Sequence, residues 1–191
     1  MPISRESIQT ALRPYRDIIV FAVCLFAANY FWKFTIVGDD DTNTVLWFGL
    51  NISWPFRVLS DHVARMAYGL TCYFTDTARF IAPRTVAFDS GFAYEVVWSC
   101  TALKQSFIWL IIMLFARGAW KQKLWFIPLG WLVAYAFNIL RIALIGLLCE
   151  QHPHMFVFYH VYLFKYLFYA ILFALWVWWI ERVAGNDQTT D

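Results

Sequence analysis

Three stretches, 18–37, 124–149 and 161–180, run for 20 residues or more with a single charged residue each, Lys33, Arg141 and Lys165. About 20 apolar residues wound as a helix cross the ~30 Å hydrocarbon layer of a bilayer, where every backbone polar group must be satisfied internally. The composition agrees, at 61% hydrophobic and only 15% charged residues, against roughly 45–50% and 25% in soluble domains. Nineteen Phe, 11 Trp and 10 Tyr exclude disorder, and four cysteines in 191 residues are too few for a disulfide scaffold. A net charge of +2 gives no ground for a nucleic-acid partner. The expected fold is a single all-α integral membrane domain, 1–191, with about four transmembrane helices, an interfacial amphipathic helix and a short extracytoplasmic β-hairpin.

The fourth span is expected at 98–116, where Lys104 and Gln105 interrupt the apolar run. The first span has the basic preface of a signal peptide, but it is long and lacks a small-residue cleavage pattern before Asp39, Asp40 and Asp41, so it is expected to stay attached. Arg5, Arg13 and Arg16 in the tail 1–16, and Arg117, Lys121 and Lys123 between spans, assign both segments to the cytoplasm. Segment 39–97 is then extracytoplasmic or interfacial, 98–180 forms the helix bundle that carries the chemistry, and the protein is a multi-pass component of the inner (cytoplasmic) membrane.

Within 39–97, Arg57, Asp61 and Arg65 recur at spacings of four, while Phe56, Leu59, Val63 and Met66 take the other face. This amphipathic pattern suits a helix lying in the outer interface, with Trp47 and Trp54 as interfacial aromatics; a re-entrant pair across 44–75 is the alternative. Alternation at Val86 and Phe88, and again at Phe92, Tyr94 and Val96, predicts a hairpin turning at Asp89-Ser90-Gly91.

A charge at membrane depth needs a reason. Lys33 and Lys165 lie about one turn from their span ends and can snorkel to the headgroups. Arg141 lies eight residues inside its span, about 12 Å deep at 1.5 Å per residue. Asn138 precedes it by three positions and shares its helix face. A guanidinium there implies a polar cavity or an anionic partner. Cys100 opens the second span, where the helix dipole favours a thiolate, and Lys104 one turn on adds positive charge. Cys24, Cys72 and Cys149 have weaker cases, although a Cys72–Cys149 disulfide is conceivable. Of the histidines, His62 falls on the amphipathic segment, His152 and His154 in a loop, and His160 at the start of the last span, level with Cys100 and Arg141.

These motifs resemble the exosortase and archaeosortase family of membrane cysteine transpeptidases. The likeness rests on Cys100-Thr101-Ala102, a cysteine followed by a small hydroxylated and a small residue. It rests also on Asn138-Ile-Leu-Arg141-Ile142, similar to the family's asparagine-arginine motif, and on His160 about twenty residues later. It covers roughly residues 90–180. Many members carry more spans before the cysteine, so subfamily and substrate stay open.

The resemblance implies acyl transfer with Cys100 as nucleophile, His160 as acid and base, and Arg141 holding the oxyanion or substrate, with Asn138 and Lys104 in support. No metal or other cofactor is implied. The implied partners are secreted proteins anchored in the membrane by a C-terminal sorting signal, and an acceptor such as a lipid or glycan. The alternatives are a non-enzymatic small membrane assembly or anion-channel subunit, and a redox or three-histidine metal protein; the former predicts that Cys100→Ala leaves function intact.

Overall fold

In the computed structural model, described for residues 15–183, three helical runs are long and apolar enough to span a membrane: Arg16–Thr35, Trp120–Gln151 and Pro153–Arg182. The chain is a mostly helical, multi-pass membrane protein. The basic residues Arg5 and Arg13 lie outside the described residues.

Helix α1 (Arg16–Thr35) leads into a first antiparallel sheet, β1 (Ile36–Asp39), β2 (Thr44–Trp47) and β3 (Leu50–Asn51). Helix α2 (Ser53–Thr71) follows, then a second antiparallel sheet of β4 (Ala78–Ile81), β5 (Thr85–Phe88) and β6 (Ala93–Glu95). A 3-10 turn at Trp98–Cys100 precedes α3 (Leu103–Phe115) and α4 (Trp120–Gln151). The last run begins with 3-10 and π-helical turns and continues as α5 (Phe164–Trp178). The expected hairpin is present as β5–β6, with Phe88 N–H donating to the Phe92 carbonyl at 2.8 Å. An all-α description omits the other four strands, whose short runs gave too little alternation to be seen.

Two further expectations change. Helix α3 covers 13 residues, about 20 Å of rise, because 98–102 is spent on the turn; among the described residues three helical runs, rather than the four expected, are both long and apolar enough to span. Helix α2 buries Phe56, Ser60, Val63, Ala64, Ala67 and Thr71, whereas Met66 is exposed. The small residues Ser60, Ala64 and Ala67 let this helix approach α4 closely, which a pattern read from large apolar residues does not register. Arg57 donates to the Asn43 carbonyl at 3.1 Å, and Arg65 lies over the Phe80 ring. Trp47 and Trp54 are exposed.

The bundle core gathers Phe21, Ala28, Trp109, Met113, Phe126, Phe168 and Trp176 from the membrane helices. At the end away from Cys100, Asp17 at the start of α1 pairs with Arg117, whose carbonyl accepts from the Trp179 indole at 2.7 Å. The buried Lys123 ammonium donates to the carbonyls of Ala116 at 2.6 Å and Leu114 at 3.3 Å. A cation is favoured at these unpaired carbonyls at the C-terminus of α3. Arg16, Arg117 and Lys123 thus mark one end of the bundle.

Trp109 is fully buried, donates to the Ile127 carbonyl at 3.2 Å and leaves no room for a Cβ on Gly130. The α3–α4 contact therefore requires glycine there. Gly130→Ala is expected to destabilise the protein by about 1–3 kcal/mol, read from thermal unfolding in detergent, with α3 displaced from α4.

Candidate active site

Cys100 sits in a turn whose backbone is held from three directions. Its carbonyl accepts from the Asn138 side-chain amide at 2.7 Å, and Asn138 is buried in α4. Two residues earlier, the Trp98 N–H donates to the Asn43 side-chain oxygen at 2.7 Å. Thr101 closes the turn by donating its hydroxyl to the Trp98 carbonyl at 2.8 Å. Ala102 then takes the left-handed conformation, φ 61 and ψ 5, before α3 begins. That conformation disfavours a Cβ and suits glycine.

The thiol faces a cavity of about 290 Å³ walled by Tyr94, Glu95 and Val96 of the hairpin, by Ile142 and Ile145 of α4, and by Phe156 and His160. His160 lies in the π-helical turn Phe158–Leu163 and stacks on Phe156, ring centroids 5.2 Å apart. A π turn admits one extra residue and re-aims the side chains it carries. Here it presents two acceptors of one residue to Arg141: the guanidinium reaches His160 Nδ1 at 3.3 Å and the His160 carbonyl at 3.2 Å. Since a guanidinium only donates, Nδ1 is the acceptor and the ring hydrogen sits on Nε2. The Nε of Arg141 is shielded from solvent with no partner among the described residues. An orphaned buried donor marks a position where an acceptor from a ligand fits.

Cys100 and His160 thus line one cavity, and Arg141 joins them through its contacts with His160; burial pushes the Cys100 thiol up, with the Arg141 charge acting against it. The two supporting residues take other places. Asn138 commits its amide to the Cys100 carbonyl, so it positions the turn. Lys104 lines a different cavity, with Lys33 and Trp98. Cys100 itself stands ahead of α3, in the 3-10 turn, so Arg141 and not the dipole at the start of α3 supplies its nearby positive charge. All four cysteines are free, with Cys72 exposed and Cys149 buried. His62 stacks on Tyr135, and His152 and His154 are exposed with rings 6.1 Å apart. No group of metal-binding side chains gathers among the described residues.

Sequence reasoning missed Asn43, Tyr94, Glu95 and Phe156. Asn43 is buried with φ 48, a conformation asparagine tolerates, but nothing in the run Asp39–Asp41 onwards links it to Trp98. The hairpin alternation placed Tyr94 and Glu95 on opposite faces without showing that both border the thiol. Burial pushes the Tyr94 phenol up to about 12, with the Thr71 hydroxyl acting against it, so near neutral pH this wall keeps a protonated hydroxyl. Glu95 is ion-paired with Arg84 at 2.7 Å.

No family model, curated protein or solved structure matches the chain.

Two substitutions separate holding the turn from doing chemistry. Ala102→Gly is expected to be neutral or stabilising by up to ~1 kcal/mol, because it relieves the left-handed conformation. Asn138→Ala leaves the Cys100 carbonyl without its buried donor and is expected to destabilise by about 1–3 kcal/mol. Thermal unfolding of the detergent-solubilised variants measures both.

Proposed function

We propose that the protein is a membrane-embedded cysteine transpeptidase, similar to the exosortase and archaeosortase family, acting on membrane-anchored proteins with a C-terminal sorting signal. The observation that carries this function is the shared cavity of Cys100 and His160, with Arg141 bonded to the imidazole and its Nε left as a spare donor.

In the first step the Cys100 sulfur attacks a substrate backbone carbonyl and its proton passes to the imidazole. Only Nδ1 has a free lone pair in the tautomer set by Arg141, so the guanidinium must leave Nδ1 as the proton arrives. The developing oxyanion gives that guanidinium a better acceptor, and its movement couples proton transfer to oxyanion stabilisation. Collapse of the tetrahedral species breaks the C–N bond. The departing amine takes the imidazolium proton and a thioester remains on Cys100. An acceptor nucleophile, a lipid or glycan hydroxyl or amine, then gives its proton to His160 and attacks the thioester, regenerating the thiol. No cofactor is needed for proton or acyl balance.

Thiol labelling at neutral pH in membranes tests the nucleophile. Cys100 is expected to react with iodoacetamide faster than the more exposed Cys72, and His160→Ala is expected to slow Cys100 by about a hundredfold or more, the low end of general-base effects. If Cys100 reacts no faster than Cys72, it is not an activated nucleophile. An assembly or channel subunit would show the same function with Cys100→Ala, whereas a transpeptidase loses it.

A further inference from the structure

Three lysines are left unused by the acyl-transfer site, and they are not scattered. Lys33 lies in the last turn of α1, Lys104 in the first turn of α3 and Lys165 in the first turn of α5. Lys33 and Lys104 line one cavity of about 200 Å³ with Trp98, Ser99 and Thr101. Lys165 does not line that cavity, but its charge, like that of Lys33, bears on Lys104. Among the described residues no carboxylate forms an ion pair with any of them. Asp40, the acid that reaches this turn, accepts from the Ser99 hydroxyl at 3.2 Å. The Trp98 indole N–H, shielded from solvent and lying against Gly38 of β1, has no acceptor among the described residues.

Lysines that merely snorkel relieve their repulsion by spreading towards the headgroups. Convergence of Lys33 and Lys104 on one cavity has the opposite effect, and an unfilled indole donor adds a desolvation cost. A tetrahedral oxyanion removes both, since it offers several acceptors and the missing negative charge. The neighbouring cavity is not the thiol's: Ser99 and Thr101 line the lysine side, while Cys100 between them lines the other.

We propose that Lys33, Lys104 and Lys165, with the Trp98 indole, bind a phosphate group on the far side of the 98–101 turn from Cys100. The phosphate comes from a phospholipid headgroup or from a free phosphorylated solute. The site does not depend on acyl transfer and stands or falls separately from it.

Native mass spectrometry of the full-length protein in detergent tests this, with phosphatidic acid as the probe and zwitterionic phosphatidylcholine as the control. One phosphatidic acid per chain is expected to bind in preference to phosphatidylcholine. Affinity is expected to fall about tenfold or more in the Lys33→Gln, Lys104→Gln, Lys165→Gln triple variant, and to be retained in the triple arginine variant. Should the triple glutamine variant fail to fold, Lys33→Gln and Lys165→Gln singly, both at exposed positions, are expected to weaken binding severalfold. Displacement by excess inorganic phosphate shows that the phosphate group alone is recognised; resistance to it shows that the lipid is required. Undiminished binding by the glutamine variants, or an equal loss on Lys121→Gln at the other end of the bundle, overturns the proposal.

Discussion

One hydrogen bond, from the buried Asn138 amide to the Cys100 carbonyl, ties the thiol-bearing turn to the longest helix of the bundle. Without it the turn would hang between two short sheets and a 13-residue helix, none of which fixes its depth alone. With it, the turn acquires the register of α4. Arg141 follows three residues later on the same face, so the depth of the guanidinium relative to the thiol is set by helix geometry. His160 is brought to that level by the hydrogen bonds it accepts from Arg141. The trio is therefore assembled from one asparagine-arginine pair outward.

The same turn divides the end of the bundle into two chemically different compartments. On the thiol side, the walls are mostly apolar and supplied by the hairpin and α4, which raises the effect of each remaining charge. On the other side, lysines from separate helices meet beside tryptophans. Alternation along three residues, Ser99, Cys100 and Thr101, is enough to separate them. Asn43 and Asp40 hold the outer edge of this partition through the Trp98 N–H and the Ser99 hydroxyl.

Much of this was legible in the sequence, for physical reasons that differ by element. Long apolar runs have no soluble alternative, so α1, α4 and the last helical run could be read directly. The β5–β6 hairpin was legible from period-two alternation around Asp89-Ser90-Gly91. The packing face of α2 was not, because Ser60, Ala64 and Ala67 carry weak hydrophobic signal yet permit close approach. The site trio was legible from charge at depth, but its arrangement was not. Spacing offered Asn138 as possible support for the chemistry; in the structure its amide donates to the Cys100 carbonyl and holds the turn. It left Lys104 open between supporting the thiol and facing the headgroups; after the left-handed Ala102 the chain carries Lys104 to the other compartment. Sequence periodicity cannot carry such a backbone reversal.

The proposed acyl chemistry depends on a covalent intermediate at a single sulfur, and that intermediate can be sought directly. Membranes from cells making the native protein are divided, treated with hydroxylamine or left untreated, and the Cys100 peptide is weighed by mass spectrometry. A hydroxylamine-labile adduct on Cys100, lost in His160→Ala and never found on Cys72, is the predicted result. An unmodified Cys100 in both halves, or an adduct indifferent to His160→Ala, would contradict it.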